Sequence, residues 1–222
     1  MTELHNAKMF GGIGSLLTLV GGLIPNAGPI ISIVGIVLVL LAVKKIADST
    51  KDEAIFKNYL IQFVLSIIAI ITVVVIMIAA FGAAGGFTWI TSLETADITN
   101  FETFWSYFGE IIGFCILSLI IAWILSVIGT MYLRRSYNSI AQQTEVDLFR
   151  KTGTIYFVGA ITSILLIGFI ILFIGRIIEI IAYFSLPDKL PSEQKQSQRR
   201  CPECGRVIPE DTVICPYCGK HY

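Results

Sequence analysis

Residues 58–86 contain no charged side chain, and that run limits the possible folds more than any other part of the chain. A helix crossing a bilayer takes about 20 apolar residues, whereas a helix on the surface of a soluble domain is apolar along one stripe only. Four further apolar runs accompany it, at residues 9–24, 29–43, 105–133 and 153–186. Composition agrees, with 55% hydrophobic and 14% charged residues, against about 25% charged in an ordinary globular chain. None of the runs alternates with period two, which argues against a membrane β-barrel. The expected fold is an all-α polytopic membrane helical bundle of about five transmembrane segments, the first two short. A small C-terminal β-hairpin module would follow it.

The first two runs are joined by Pro25-Asn-Ala-Gly-Pro29. They read either as a tight pair of short spans or as a re-entrant hairpin, and both return the chain to the same side. The first run could pass for a signal peptide, but no small-x-small cleavage pattern follows it, so it reads as retained. Loop 44–57 carries Lys44, Lys45, Lys51 and Lys57, and loop 134–152 carries Arg134, Arg135, Arg150 and Lys151. Loop 87–104 has no Lys or Arg and holds Glu94, Asp97 and Glu102. The positive-inside rule then predicts a multi-pass plasma-membrane protein with its N-terminus and both basic loops in the cytoplasm and the acidic loop outside. Trp89, Trp105, Tyr107 and Phe108 flank the acidic loop as an interfacial aromatic belt would.

The fifth run is too long for one span. About 34 residues of helix reach about 51 Å, against about 30 Å of hydrocarbon. Either a span ends near Gly175 and residues 176–184 lie in the interface, or the run folds back near Gly168. Fold-back would return the tail to the cytoplasm. Lys189, Lys195, Arg199 and Arg200, together with the reducing conditions that free thiolates need, favour a cytoplasmic tail.

Three regions follow: a transmembrane helical domain at 1–187, a polar linker at 188–199 and a ribbon at 200–222. There is also an internal echo. Lys44-Lys45 and Arg134-Arg135 open the basic loops, and Asp52-Glu-Ala-Ile-Phe-Lys57 and Glu145-Val-Asp-Leu-Phe-Arg150 close them. Each closing run sets an acid four residues before a Phe that a base follows, which on a helix would pair acid and ring on one face. It reads either as a trace of duplication or as coincidence among juxtamembrane sequences.

The tail carries the most specific chemistry. Cys201-Pro-Glu-Cys-Gly205 and Cys215-Pro-Tyr-Cys-Gly219 are two CxxC pairs, and four thiolates at this spacing can close a tetrahedron around one Zn²⁺. The glycine after each pair permits the positive φ that a tight knuckle needs. Residues 206–208 and 212–214 are β-prone and flank Pro209-Glu-Asp211, which reads as a hairpin. So small a module has little core, so the metal must supply most of the folding energy, about 10–16 kcal/mol in comparable peptides. With Cys201, Cys204, Cys215 and Cys218 all ligands, no position is left for water, and one structural rather than catalytic zinc is expected. A dithiol redox pair or iron are the alternatives.

Polar groups inside the apolar runs are the other candidates, because burying them costs several kcal/mol. They are Glu110 in the fourth run, Gln62 and Ser66 one turn apart in the third, and Arg176 and Glu179 three apart in the fifth. The plainer reading has Glu110 near the outer headgroups and Arg176 snorkelling to pair with Glu179. Gly11-x-x-x-Ser15, Gly109-x-x-x-Gly113 and Gly159-x-x-x-Ser163 suit close helix packing within a bundle or a homo-oligomer. No nucleophile–base arrangement or phosphate-cradling loop is present. The two histidines, His5 and His221, read as exposed bystanders, and an enzyme is not expected. Sixteen Lys and Arg against sixteen Asp and Glu give no bulk charge for nucleic acid.

Gly11-Gly-Ile-Gly-Ser-Leu-Leu17, the 25–29 turn, Asp52-Glu-Ala-Ile-Phe-Lys-Asn58 and Ala182-Tyr-Phe-Ser-Leu-Pro187 resemble the uncharacterised archaeal and bacterial membrane-protein family DUF996. The resemblance covers residues 1 to about 187 and implies no known activity. Residues 200–220 resemble the zinc-ribbon module appended to many prokaryotic membrane proteins. The expected function is a membrane-anchored scaffold that lies in the bilayer and presents the ribbon to a protein partner. The alternative is a small transporter or channel using Glu110 and Gln62.

Overall fold

A computed structural model describes residues 3–93, 100–191, 198–209 and 213–221. The elements run α1 (Glu3–Gly21), α2 (Gly28–Thr50), α3 (Glu53–Ala83), α4 (Phe87–Leu93), α5 (Phe101–Thr144), α6 (Asp147–Thr162), α7 (Ile167–Phe184), β1 (Gln198–Arg200) and β2 (Val207–Pro209). By length and composition, α2, α3, α5 and α7 can cross a membrane; α1 and α6 do not meet the same measure. Apolar side chains such as Ile70, Ile78 and Leu119 stand more than half exposed along α3 and α5. Water would disfavour such surfaces and lipid would accept them.

Both basic loops are largely helical. The helix carrying Arg134 and Arg135 continues to Thr144, giving α5 44 residues and a length of about 66 Å. Its last turns stay ordered because Tyr137, Ile140 and Ala141 are buried. Likewise α2 carries Lys44 and Lys45 on to Thr50. The acidic loop contains the short α4, while Glu94 and Asp97 lie outside the described residues. The fifth run is two helices, divided by a single 3₁₀ turn at Ser163–Leu165 and by Leu166 at φ 62°. It therefore folds back, two residues before the expected Gly168.

The chain divides into two compact units. The first comprises Met1–Phe56, Ser136–Thr152 and Arg176–Tyr222. Within it α1 and α2 form a tight antiparallel hairpin whose contacts need glycine. A Cβ on Gly14 would lie 2.7 Å from the Gly35 carbonyl oxygen, and one on Gly28 would strike Gly21. The turn between the two helices takes its positive φ at Asn26, not at Gly28, which already belongs to α2; Pro29 suits that first helical turn. Tyr183 of α7 fits against Gly11, where no side chain could stand, and meets Phe149 of α6 edge-on at 5.1 Å.

Two junctions in this unit are built alike. Lys51, at φ 56°, ends α2 and Glu145, at φ 59°, follows α5. Thr50 and Thr144 each donate a hydroxyl hydrogen to the carbonyl four residues back, at 2.8 and 2.7 Å. Ile55 and Phe149, four residues beyond the left-handed position, are fully buried. The echo is therefore structural but shifted by one residue from the sequence match. The expected acid–aromatic pair on a helix face does not form, because Asp52 and Glu145 precede their helices. Asp52 instead accepts the Ala54 N–H at 3.0 Å as a cap.

The second unit comprises Lys57–Arg135 and Gly153–Gly175. Here α3 and α5 run antiparallel, with Gln62 beside Gly129 and Met77 beside Cys115. α6 and α7 pack antiparallel, with Gly159 against Leu172 and Gly175 against Tyr156. Trp123 of α5 donates its indole N–H to the Ala160 carbonyl at 3.0 Å. A Cβ on Gly109 would meet Trp105 of its own helix first and one on Gly113 nothing within 4 Å, so among the described residues this small-residue pair is not packed against another helix, unlike those at Gly11 and Gly159.

The glycines separate these cases experimentally. Gly35→Ala places a Cβ 2.6 Å from Gly14 O and Thr18 Oγ1 and should destabilise the detergent-solubilised protein by about 1–3 kcal/mol. Gly113→Ala, in open space, should stabilise it by up to about 1 kcal/mol through helix propensity. Thermal unfolding followed by circular dichroism reads both signs.

Candidate metal centre

The four tail cysteines come together. Their sulfurs all lie within 4.8 Å of one another, with Cys201–Cys218 at 3.5 Å and Cys204–Cys215 at 3.8 Å. A tetrahedron with metal–sulfur bonds of about 2.3 Å has edges of about 3.8 Å, so the set fits a four-coordinate metal ion. Cys201 and Cys215 are buried with Ile208 in a minimal core, and Cys204 and Cys218 are more exposed.

The knuckles are near copies fourteen positions apart. The Cys201 N–H donates to Arg206 O and the Gly205 N–H to Cys201 O, at 2.9 and 2.8 Å. The Cys215 N–H to Lys220 O and the Gly219 N–H to Cys215 O repeat this at 2.8 and 2.8 Å. Gly205 and Gly219 take φ of 68° and 71°, where a side chain is costly. Strand pairing differs from the expected hairpin across residues 206–214. β1 pairs with β2, Arg200 opposite Val207, and Ile214 bridges to His221. Each knuckle is thus closed by its own flanks, because the turn at its glycine returns the chain beside the residues that enter it. The pairing begins at Gln198, while Glu210 to Thr212 lie outside the described residues.

Contacts across the two knuckles use corresponding positions. Glu203, the third residue of the first Cys-Pro-x-Cys, takes Lys220 at 2.6 Å. Tyr217, the third residue of the second, lies under the Arg206 guanidinium at 4.7 Å. The fourteen-residue offset held the signal for these pairs.

Electrostatics explains why such a set wants a cation. At Cys215, burial opposes ionisation, but N–H groups of Tyr217 and Cys218 and the neighbouring thiols of Cys218 and Cys204 outweigh it and lower the pKa. At Cys218 the Lys220 N–H favours the thiolate, but desolvation and the other three sulfurs prevail and push the thiol up to about 12. At Cys204 the Arg206 N–H likewise loses to desolvation and to Cys201 and Cys215, and the pKa is raised. Thiolates packed this closely repel one another until a metal neutralises them.

The other polar candidates do not converge. Gln62 Nε2 donates to Ser66 Oγ at 3.0 Å, within α3. Glu110 is exposed beside Ala83 and Ala84, about 30 Å along α3 from Gln62, so the two share no site. Arg176 does pair with Glu179, at 2.8 Å, but Glu179 is only 1% exposed and not a surface partner. Its other oxygen accepts the Tyr137 hydroxyl of α5 at 2.7 Å. Nothing in the local sequence pointed to Tyr137. His5, expected to be a bystander, pairs with Asp188 at 3.0 Å, and that hydrogen bond lowers the Asp188 pKa. Leu190 is also buried, so the start of the expected linker packs; residues 192–197 lie outside the described residues.

Long apolar helices with a four-cysteine tail module fit the class of multi-span helical membrane proteins carrying a small metal-binding ribbon. The chain belongs to the family described as "Protein of unknown function (DUF996)", whose profile matches residues 31–177. The tail matches the uncharacterised protein family UPF0547 at residues 199–220. An uncharacterised protein of Methanocaldococcus jannaschii is 38% identical over 191 residues, covering 86% of this chain and 97% of that protein. No solved structure matches the chain.

Two outcomes follow. Metal uptake must displace the protons held by Cys204 and Cys218, whose pKa values are raised, so affinity is full at high pH and falls as pH drops. The fall should be about tenfold per pH unit for each proton released, read by titration calorimetry in buffers of different ionisation enthalpy. In the bundle, Arg176→Met leaves the Glu179 carboxylate buried without its cation and should cost about 3–5 kcal/mol. Arg176→Ile with Glu179→Val should recover most of that loss in thermal unfolding.

Proposed function

We propose that this chain is a membrane anchor that holds one structural zinc ion in its tail and presents the ribbon to a protein partner. The observation that carries this reading is the closed set of four cysteines. All four ligand positions are filled from the chain, so the ion has a folding role and no open position for substrate. Zinc is favoured over iron or a redox dithiol because it suits a tetrahedral four-thiolate set and needs no redox chemistry.

The ribbon's surface supports a protein partner over nucleic acid. Arg206 and Lys220 are engaged by Tyr217 and Glu203, whereas Val207, Val213, Ile214 and Tyr217 stand 47–65% exposed. Aromatic and aliphatic side chains on a small rigid module suit a protein interface. The antiparallel packing of α6 on α7 supports a tail on the same side as the basic segments, which on the positive-inside rule is the cytoplasm. The reading assigns no catalysis.

Photo-crosslinking from the ribbon in native membranes should yield a defined partner. Cys201→Ser with Cys204→Ser should abolish that adduct through loss of the metal. Val213→Asp with Ile214→Asp should abolish it while one zinc per chain is retained. An adduct profile unchanged by both variants would overturn the proposal.

A further inference from the structure

A cleft of about 460 Å³ opens at the end of the second unit where α3 gives way to α4, lined by residues of α4, α5 and the end of α3. It is within the range of small-molecule sites, about 300–1,000 Å³, and is distant in sequence from the four tail cysteines. Gly85 and Gly86, at φ 103° and 59°, turn the chain out of α3 so that α4 returns beside α5. Trp89 then fastens the two helices, donating its indole N–H to the Tyr107 carbonyl at 3.0 Å and meeting Phe108 edge-on at 5.6 Å.

The lining has an uneven hydrogen-bonding character. Thr88 spends its hydroxyl hydrogen on Gly85 O at 2.6 Å, Ser92 on Trp89 O at 2.8 Å and Ser106 on Thr103 O at 2.8 Å. The Trp89 N–H is likewise committed. Thr88 and Ser106 therefore offer lone pairs, Glu110 adds a carboxylate that can only accept when ionised, and Tyr107 adds an amphoteric phenol. Among the described residues no Lys or Arg lines the cleft, and Glu110 has no ion-pair partner.

We infer that this cleft binds a protonated organic amine, with Glu110 pairing the ammonium, Thr88 and Ser106 accepting its N–H groups, and Trp89 and Tyr107 flanking its carbon skeleton. A surface rich in acceptors and carrying one negative charge is complementary to a donor-rich cation. Aromatic walls add attraction for an ammonium. A bare metal ion fits poorly, because one carboxylate in so large a space supplies neither the ligand number nor the closeness that hard cations require. The amine could be a soluble molecule or the headgroup of an aminophospholipid.

The test uses the full-length protein and a matched series of probes: phenethylammonium, its N,N,N-trimethyl analogue and phenethyl alcohol. Titration calorimetry in nanodiscs of phosphatidylglycerol should show phenethylammonium binding about tenfold or more tighter than the other two, since one lacks the N–H donors and one lacks the charge. Glu110→Gln should weaken it by about 10- to 100-fold and Ser106→Ala by several-fold, with helical circular dichroism unchanged. In phosphatidylethanolamine discs, weakened binding identifies a lipid headgroup as occupant, and undiminished binding identifies a soluble amine; both support the site. Equal binding of the alcohol, full retention by Glu110→Gln, or displacement by calcium at equal ionic strength would overturn it.

Discussion

A helix in apolar surroundings must satisfy its own backbone hydrogen bonds, so it can change direction only where a residue stops it without leaving polar groups bare. In this chain the helices change direction at a few positions of positive φ. Asn26 separates α1 from α2, Lys51 α2 from α3, Gly85 and Gly86 α3 from α4, Glu145 α5 from α6, and Leu166 α6 from α7. Four of these six residues are not glycine, so each holds a conformation that L residues adopt at some cost. The packing on either side must hold them there, and the buried faces beside each junction do so: Ile46 and Ile55 around Lys51, Ile140 and Phe149 around Glu145.

The same economy shows in α2 and α7. From 28 to 44 and from 168 to 184 the order of buried, half-buried and exposed positions is identical. Gly28 corresponds to Gly168, Gly35 to Gly175, Ala42 to Ala182 and Val43 to Tyr183. The two helices differ where Ile36 and Val39 correspond to Arg176 and Glu179. An apolar pair occupies that face in α2, whereas α7 carries the charged pair, held by the Tyr137 hydroxyl.

Much of this was legible in residue order, and the failures have physical causes. The apolar runs located the helices because lipid-length hydrophobicity is a property of composition, and the excess length of the fifth run already implied a break or an interfacial segment. Charge, by contrast, suggested loops at 44–57 and 134–152, where a buried stripe of Tyr137, Ile140 and Ala141 keeps α5 helical beneath its basic surface. The four metal-ligand candidates were legible because CxxC spacing is local. The strand pairing was not, since the β-prone residues between the knuckles pair with the flanks of each knuckle instead of with one another. Glu179 was visible as a polar residue in an apolar run, but its burial depends on Tyr137, forty-two positions away.

The contrast between α6 and α7 bears on how the chain is made. α7 has the length and composition of a span and α6 does not, yet α6 is synthesised first and packs along α7 through Gly159, Gly168 and Gly175. α1 precedes α2 in the same way, again with the less apolar helix leading. In a chain entering a bilayer during synthesis, each leading helix must wait at the interface until its partner emerges. The unit of insertion is then the hairpin rather than the single helix: glycines on both members let the two backbones close, and the second member supplies the hydrophobic drive.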